Sequence, residues 1–140
     1  GMPIIMEQPY PMEIVDQGDT ILLRLEEFDT VRTIHMNAES SRARQGGSPL
    51  GLSVGSWDES TLVVTTTAIS WPYFNQMGIP QTEGTRIVEH FTPTADGSRL
   101  NYQASVTEPV SFTEPIVLEK FWLWLPEAKV TPFNCTADIK

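Results

Sequence analysis

The side chains able to do acid–base or metal chemistry are few: two histidines, one cysteine and the carboxylates. Glu89 and His90 are adjacent in a stretch that alternates, with Ile87, Glu89 and Phe91 on one side and Arg86, Val88 and His90 on the other. Neighbouring residues of a strand point to opposite faces, so this pair cannot line one cavity without a bulge. A carboxylate among apolar neighbours needs a partner. Arg24 and Arg99 are the candidates for a structural ion pair, and catalysis by Glu89 is the rival reading. His35 alternates with Val31 and Thr33 and reads as an interior histidine. Ser53 and Ser56 lie in a glycine-rich strand, but no Gly-x-Ser-x-Gly accompanies them. His35, His90 and Cys135 share no i, i+2 or i, i+4 spacing, and there is no CxxC or HExxH, so neither a metal nor a cofactor is expected. The Gly51-x-x-x-Gly55 pattern lacks the Lys-Ser/Thr and the helix of a phosphate loop. Glycines inside a strand mark a bulge or a close approach instead.

Aromatic residues form the richest constellation. Trp57 closes a strand, Trp71 and Tyr73 sit in a long connection, and Trp122 and Trp124 share one face of the last strand with Leu118 and Lys120. Phe121, Leu123 and Leu125 occupy the other face, so both faces are expected to be covered. These rings either pack the core and the loop above it or wall a ligand cavity or partner surface. In the ligand reading Trp57, Trp71, Tyr73, Trp122 and Trp124 are the walls, and Glu89 or His35 is the polar anchor.

The elements that must position these residues read as strands. Residues 50–57 alternate Leu and Val with Gly and Ser, and 62–69 are rich in Val and Thr, whose branched Cβ favours extended backbone. Polar turn residues 58–61 join them into a hairpin. Strands are also predicted over 13–16, 21–26, 31–36, 85–92, 99–107 and 116–125, with Asp96-Gly97 as a hairpin turn. Residues 1–11 hold three prolines and read as an extended arm lying on the domain. Residues 37–49 read as a mobile surface loop, 70–84 as a loop folded back over the body, and 126–140 as a tail. The result is a single all-β domain over 1–140, an antiparallel meander of about eight strands. Such a meander hides its two edges most directly by closing into a barrel, whose interior admits side chains or one small ligand. A two-sheet β-sandwich is the alternative.

Composition bounds the partners. The formal net charge of -9, from 18 acidic and 9 basic residues, opposes nucleic-acid phosphates and anionic lipid, so no nucleic acid is expected. No apolar run approaches the roughly 20 residues that span a bilayer, so no membrane insertion is expected. No signal peptide is recognisable either.

Three groups of residues carry a resemblance. Gly51-Leu52-Ser53-Val54-Gly55-Ser56-Trp57 with Thr61-Leu62-Val63-Val64 is one. Gly78-Ile79-Pro80-Gln81-Thr82-Glu83 followed by Val88-Glu89-His90-Phe91 is the second. Val106-Thr107-Glu108-Pro109 with Phe112-Thr113-Glu114-Pro115 is the third. In order and spacing they resemble a family of uncharacterised, mostly exported bacterial proteins, over most of residues 3–136. Gln81 and His90 stand where a His and an Arg are expected in many relatives. The resemblance transfers no catalytic residue. It implies an envelope location, periplasmic or secreted, and a missing upstream segment, in which Cys135 would have lost a disulfide partner. Gly55-Ser56-Trp57 also fits the Gly-x-Trp triplet of lipocalins, though mid-chain where theirs is near the start.

Three functions follow as expectations. The leading one is a non-enzymatic binding domain for a small, partly apolar ligand in a lipocalin-like barrel. The second is an envelope assembly module whose aromatic loop docks a protein partner or a second copy of the chain. The third is a hydrolase or isomerase with an acid–base residue in the barrel mouth.

Overall fold

Alternation along each strand decides which residues face inward, and the computed structural model realises it over the residues it describes, 1–37 and 47–133. Eight strands form one sheet in sequential order: β1 Met12–Asp16, β2 Thr20–Leu25, β3 Thr30–His35, β4 Leu52–Asp58, β5 Thr61–Thr67, β6 Arg86–Pro93, β7 Arg99–Thr107 and β8 Ile116–Leu123. No α-helix occurs among the described residues. The strands lie within a few residues of the expected ones, because half-buried alternation is a local signal. The inner face buries Ile21, Leu23 and Leu25 from β2, Ile34 from β3, and Leu62 and Val64 from β5. Ile87 and Phe91 from β6 and Tyr102, Ala104 and Val106 from β7 complete it. Gly55 is required on that face, since a Cβ there would lie 2.7 Å from Met36 Sδ and 2.8 Å from Ile34 Cγ2.

Three expectations are corrected. First, the sheet is an open half-barrel: among the described residues β1 pairs only with β2 and β8 only with β7. A single sheet also replaces the two-sheet alternative. Second, the meander is not wholly antiparallel. β3 and β4 run parallel through Ile34↔Ser53 and His35↔Val54, because the long connection after β3 returns the chain to the same end of the sheet before β4 begins. Most of that connection, 38–46, lies outside the described residues, so its expected mobility is not addressed.

Third, the first part of the N-terminal arm lies inside the domain rather than on it, with Met2, Pro3, Ile5 and Met6 buried, whereas Glu7, Pro9, Tyr10 and Pro11 are exposed. A 3₁₀ turn over Ile4–Glu7 turns Ile5 and Met6 into the core, and Met2 joins them. Lys120 on β8 donates to Met6 O at 2.9 Å and Gln8 O at 3.0 Å. Its ammonium lies 4.6 Å from the Trp122 ring centroid. Gln81 Nε2 donates to Met2 O at 2.7 Å and Trp71 O at 2.8 Å. The connection carrying Gln81 folds back over the body as its aromatics require, with Phe74 buried edge-on against Phe112 at 5.0 Å. The described part of the tail returns to the β2–β3 turn. There Phe133 N donates to Asp29 Oδ1 at 2.9 Å and the Phe133 ring meets Phe28 and Tyr10.

Candidate functional site

Glu89 has the partner its surroundings demand, but the partner is Arg32, not Arg24 or Arg99. Arg24 pairs instead with Glu13 on the surface. Arg32 on β3 and Glu89 on β6 point inward across the sheet and are 1% and 0% exposed. Arg32 Nη1 donates to Glu89 Oε2 at 2.8 Å, and Nη2 donates to Oε1. Nη2 also reaches Ser53 Oγ at 3.0 Å and Thr66 Oγ1 at 2.9 Å. Tyr102 donates its hydroxyl to Glu89 Oε2 at 2.7 Å. Burial, and then the neighbouring carboxylate, push the Tyr102 phenol well above its ordinary pKa, which keeps it a donor. The cluster is sealed: the arm fills the concave side, and the gap between arm and sheet near Met6 and Trp122 leaves about 10 Å³. A buried, bidentate pair of this kind ties β3 to β6 across the sheet.

The aromatic residues divide. Trp122 packs on the inner face with Phe91, stacked at 6.3 Å, and with Tyr102, edge-on at 5.4 Å. Trp71 is half-buried, lies directly on Gly1 and meets Tyr73 edge-on at 6.4 Å. Trp57 points to the inner face opposite Leu62 but sits at the hairpin end and is largely exposed. Trp124 lies beyond β8 and is exposed. No ring contact joins the Trp71 group to the Trp122 group among the described residues. His35 is buried, as expected of an interior histidine, yet it shares the outer face with Val31 and Thr33 at the point where β3 meets β4. His35 and Glu89 therefore lie on opposite faces of the sheet. Cys135 lies outside the described residues. Among the described residues no three His, Cys, Asp or Glu side chains converge as metal ligands.

A wider open space lies on the outer face. An open groove of about 760 Å³ crosses β5–β8 and is lined by Asp58, Thr61, His90, Thr92, Asn101 and Phe121, with Arg99, Gln103 and Glu119 beside them. The register lays these residues out as a lattice. Thr92 faces Asn101, which faces Phe121; His90 faces Gln103, which faces Glu119; Arg99 faces Leu123. The Thr61 and Thr92 hydroxyls bond at 2.9 Å, and Gln103 Nε2 donates to Glu119 Oε1 at 3.0 Å. The Arg99 guanidinium lies 4.9 Å from the Phe121 ring centroid. The outer face of β8 is not covered, contrary to expectation: Val117, Phe121 and Leu123 are 56%, 53% and 61% exposed. The sequence reading missed the groove, although period two places most of its strand residues on a shared face, Tyr102 and Lys120 being the exceptions. The missing information was the pairing register, which brings β6, β7 and β8 side by side.

No protein-family model matches the chain, and no curated protein or solved structure is significantly similar to it.

Proposed function

We propose that this chain is a non-enzymatic binding domain for a small, partly apolar ligand, and that the ligand lies in the outer groove rather than inside the sheet. The observation that carries this is the groove of about 760 Å³, which falls in the range of roughly 300–1,000 Å³ that takes a small molecule. Its lining suits a mixed ligand, because Phe121 offers apolar contact while Asn101, Gln103, Thr92 and His90 offer hydrogen bonds. The filled interior supports the same choice, since Met2, Ile5 and Met6 occupy the space a barrel ligand would take. The resemblance to exported proteins supports a place in the bacterial envelope.

The test is amide chemical-shift mapping with a panel of small apolar acids, alcohols and lipids. Saturable shifts are expected to cluster at Thr92, Asn101, Gln103 and Phe121, and Phe121→Ala is expected to weaken binding about tenfold or more with little change in Tm. Saturable shifts confined to Met6, Phe91 and Trp122 would return the ligand to the interior, and no saturable shift anywhere would overturn the binding reading.

The exposed run of Val117, Phe121 and Leu123 favours a second reading, an assembly module that covers this face with a protein. Sedimentation of the purified chain showing a concentration-dependent dimer abolished by Phe121→Lys would favour it.

A further inference from the structure

Resting on the groove as the binding site, we propose that the ligand carries a carboxylate and that Arg99 receives it. In a chain with 18 acidic and 9 basic residues, Arg99 makes no ion pair with a carboxylate among the described residues, like Arg86, Lys120 and Lys129, but it alone of these has its cation over an aromatic ring of the groove. Among the described residues the Lys/Arg–carboxylate ion pairs are Arg24–Glu13 and Arg32–Glu89. Its guanidinium carbon lies over the Phe121 ring, 4.9 Å from the centroid. Its side-chain N–H groups make no hydrogen bond among the described residues, and Arg99 borders the groove. That geometry accepts both oxygens of a carboxylate, which a lysine ammonium cannot match.

The surroundings agree. Leu123 lies opposite Arg99 in the register and is exposed, so an apolar body has a surface beside the charged head. The Asn101 side chain makes no hydrogen bond among the described residues and stands between Thr92 and Phe121, where it can donate to the same head group. Lys120 also borders the groove, but its ammonium is committed to Met6 O and Gln8 O on the other face. Of the nearby carboxylates, Glu119 accepts from Gln103 and stands two residues along β8 from Phe121, about 7 Å at strand rise. Asp58 sits at the far rim, beyond β5. The ligand class is a small monocarboxylic acid with a hydrocarbon or aromatic body.

Hydrocinnamate and octanoate, each with its matching alcohol, test this by titration calorimetry and amide shift mapping on the full chain. The acids are expected to bind about tenfold or more tightly than the alcohols, and Arg99→Gln to remove that preference. Arg99 is exposed, so an unchanged Tm checks that the variant remains folded. A hydrophobic tripeptide with a free or an amidated terminus then distinguishes a free acid from a chain terminus as the source of the carboxylate. Acids and alcohols that bind equally, both weakened by Phe121→Ala but not by Arg99→Gln, would overturn the carboxylate and leave the groove standing. Binding unaffected by Phe121→Ala would overturn the groove itself.

Discussion

Glu89 makes its contribution through the three groups aimed at it, Arg32 Nη1, Arg32 Nη2 and Tyr102 Oη. Taking two charges out of water is costly, and their attraction repays it only while both partners are present. Glu89→Ala should therefore destabilise the fold by about 3–5 kcal/mol, because Arg32 is left buried and unpaired. Replacing both residues, as Arg32→Met with Glu89→Leu, should recover most of that loss in urea denaturation. A Glu89→Ala protein within about 1 kcal/mol of wild type, the range of an exposed ion pair, would show that water reaches the cluster. The need for a partner at Glu89 was legible from its apolar neighbours. Which arginine meets it was not, because Arg32 is 57 residues away and only the order of strands in the sheet brings β3 and β6 within reach of one long side chain.

At the scale of elements, two connections are locked by one carboxylate. Glu108, just past β7, is buried, and burial by itself would raise its pKa. The hydroxyl of Thr85, the amides of Thr82 and Val110 and the hydroxyl of Thr82 all donate to it, and together they hold it at about 2 instead of 4.5. A carboxyl depressed in the folded state stabilises the fold above its unfolded pKa and loses that contribution as pH falls through its folded value. The Glu108 contribution is thus complete above about 4.5 and is lost between there and about 2. Urea denaturation followed across that window should show a shallower acid loss for Glu108→Gln than for wild type. Identical acid profiles would remove Glu108 from the account. Thr107-Glu108-Pro109 reads in sequence as punctuation; that its carboxylate ties the connection before β6 to the one after β7 depends on the two lying at the same end of the sheet.

For the whole molecule, the open half-barrel makes stability uneven. β5, β6 and β7 are paired on both sides and bury their inner residues, whereas β1 is an edge strand with an intermediate-to-exposed pattern throughout. Regions with few buried contacts open locally at lower cost. Hydrogen exchange should accordingly be slowest in β5–β7 and fastest in β1 among the strands. Protection of β1 amides equal to that of β6 would mean that something closes the edge, a second copy of the chain included.

The sequence by itself determined the all-β class, the eight strands, their hairpin turns and which residues of one strand share a face. Those follow from period-two patterning and turn chemistry, which act between residues close along the chain. The open edges, the parallel β3–β4 step, the arm packed inside, the Arg32–Glu89 pair and the outer groove were decided only by tertiary structure. Each is a contact between segments far apart in the chain, and local patterning carries no record of which distant segment arrives. The arm shows the physical reason most directly. Its three prolines exclude regular pairing, but Met2, Ile5 and Met6 still gain by leaving water. The place that accepts them exists only once the sheet has curved and left its concave side empty.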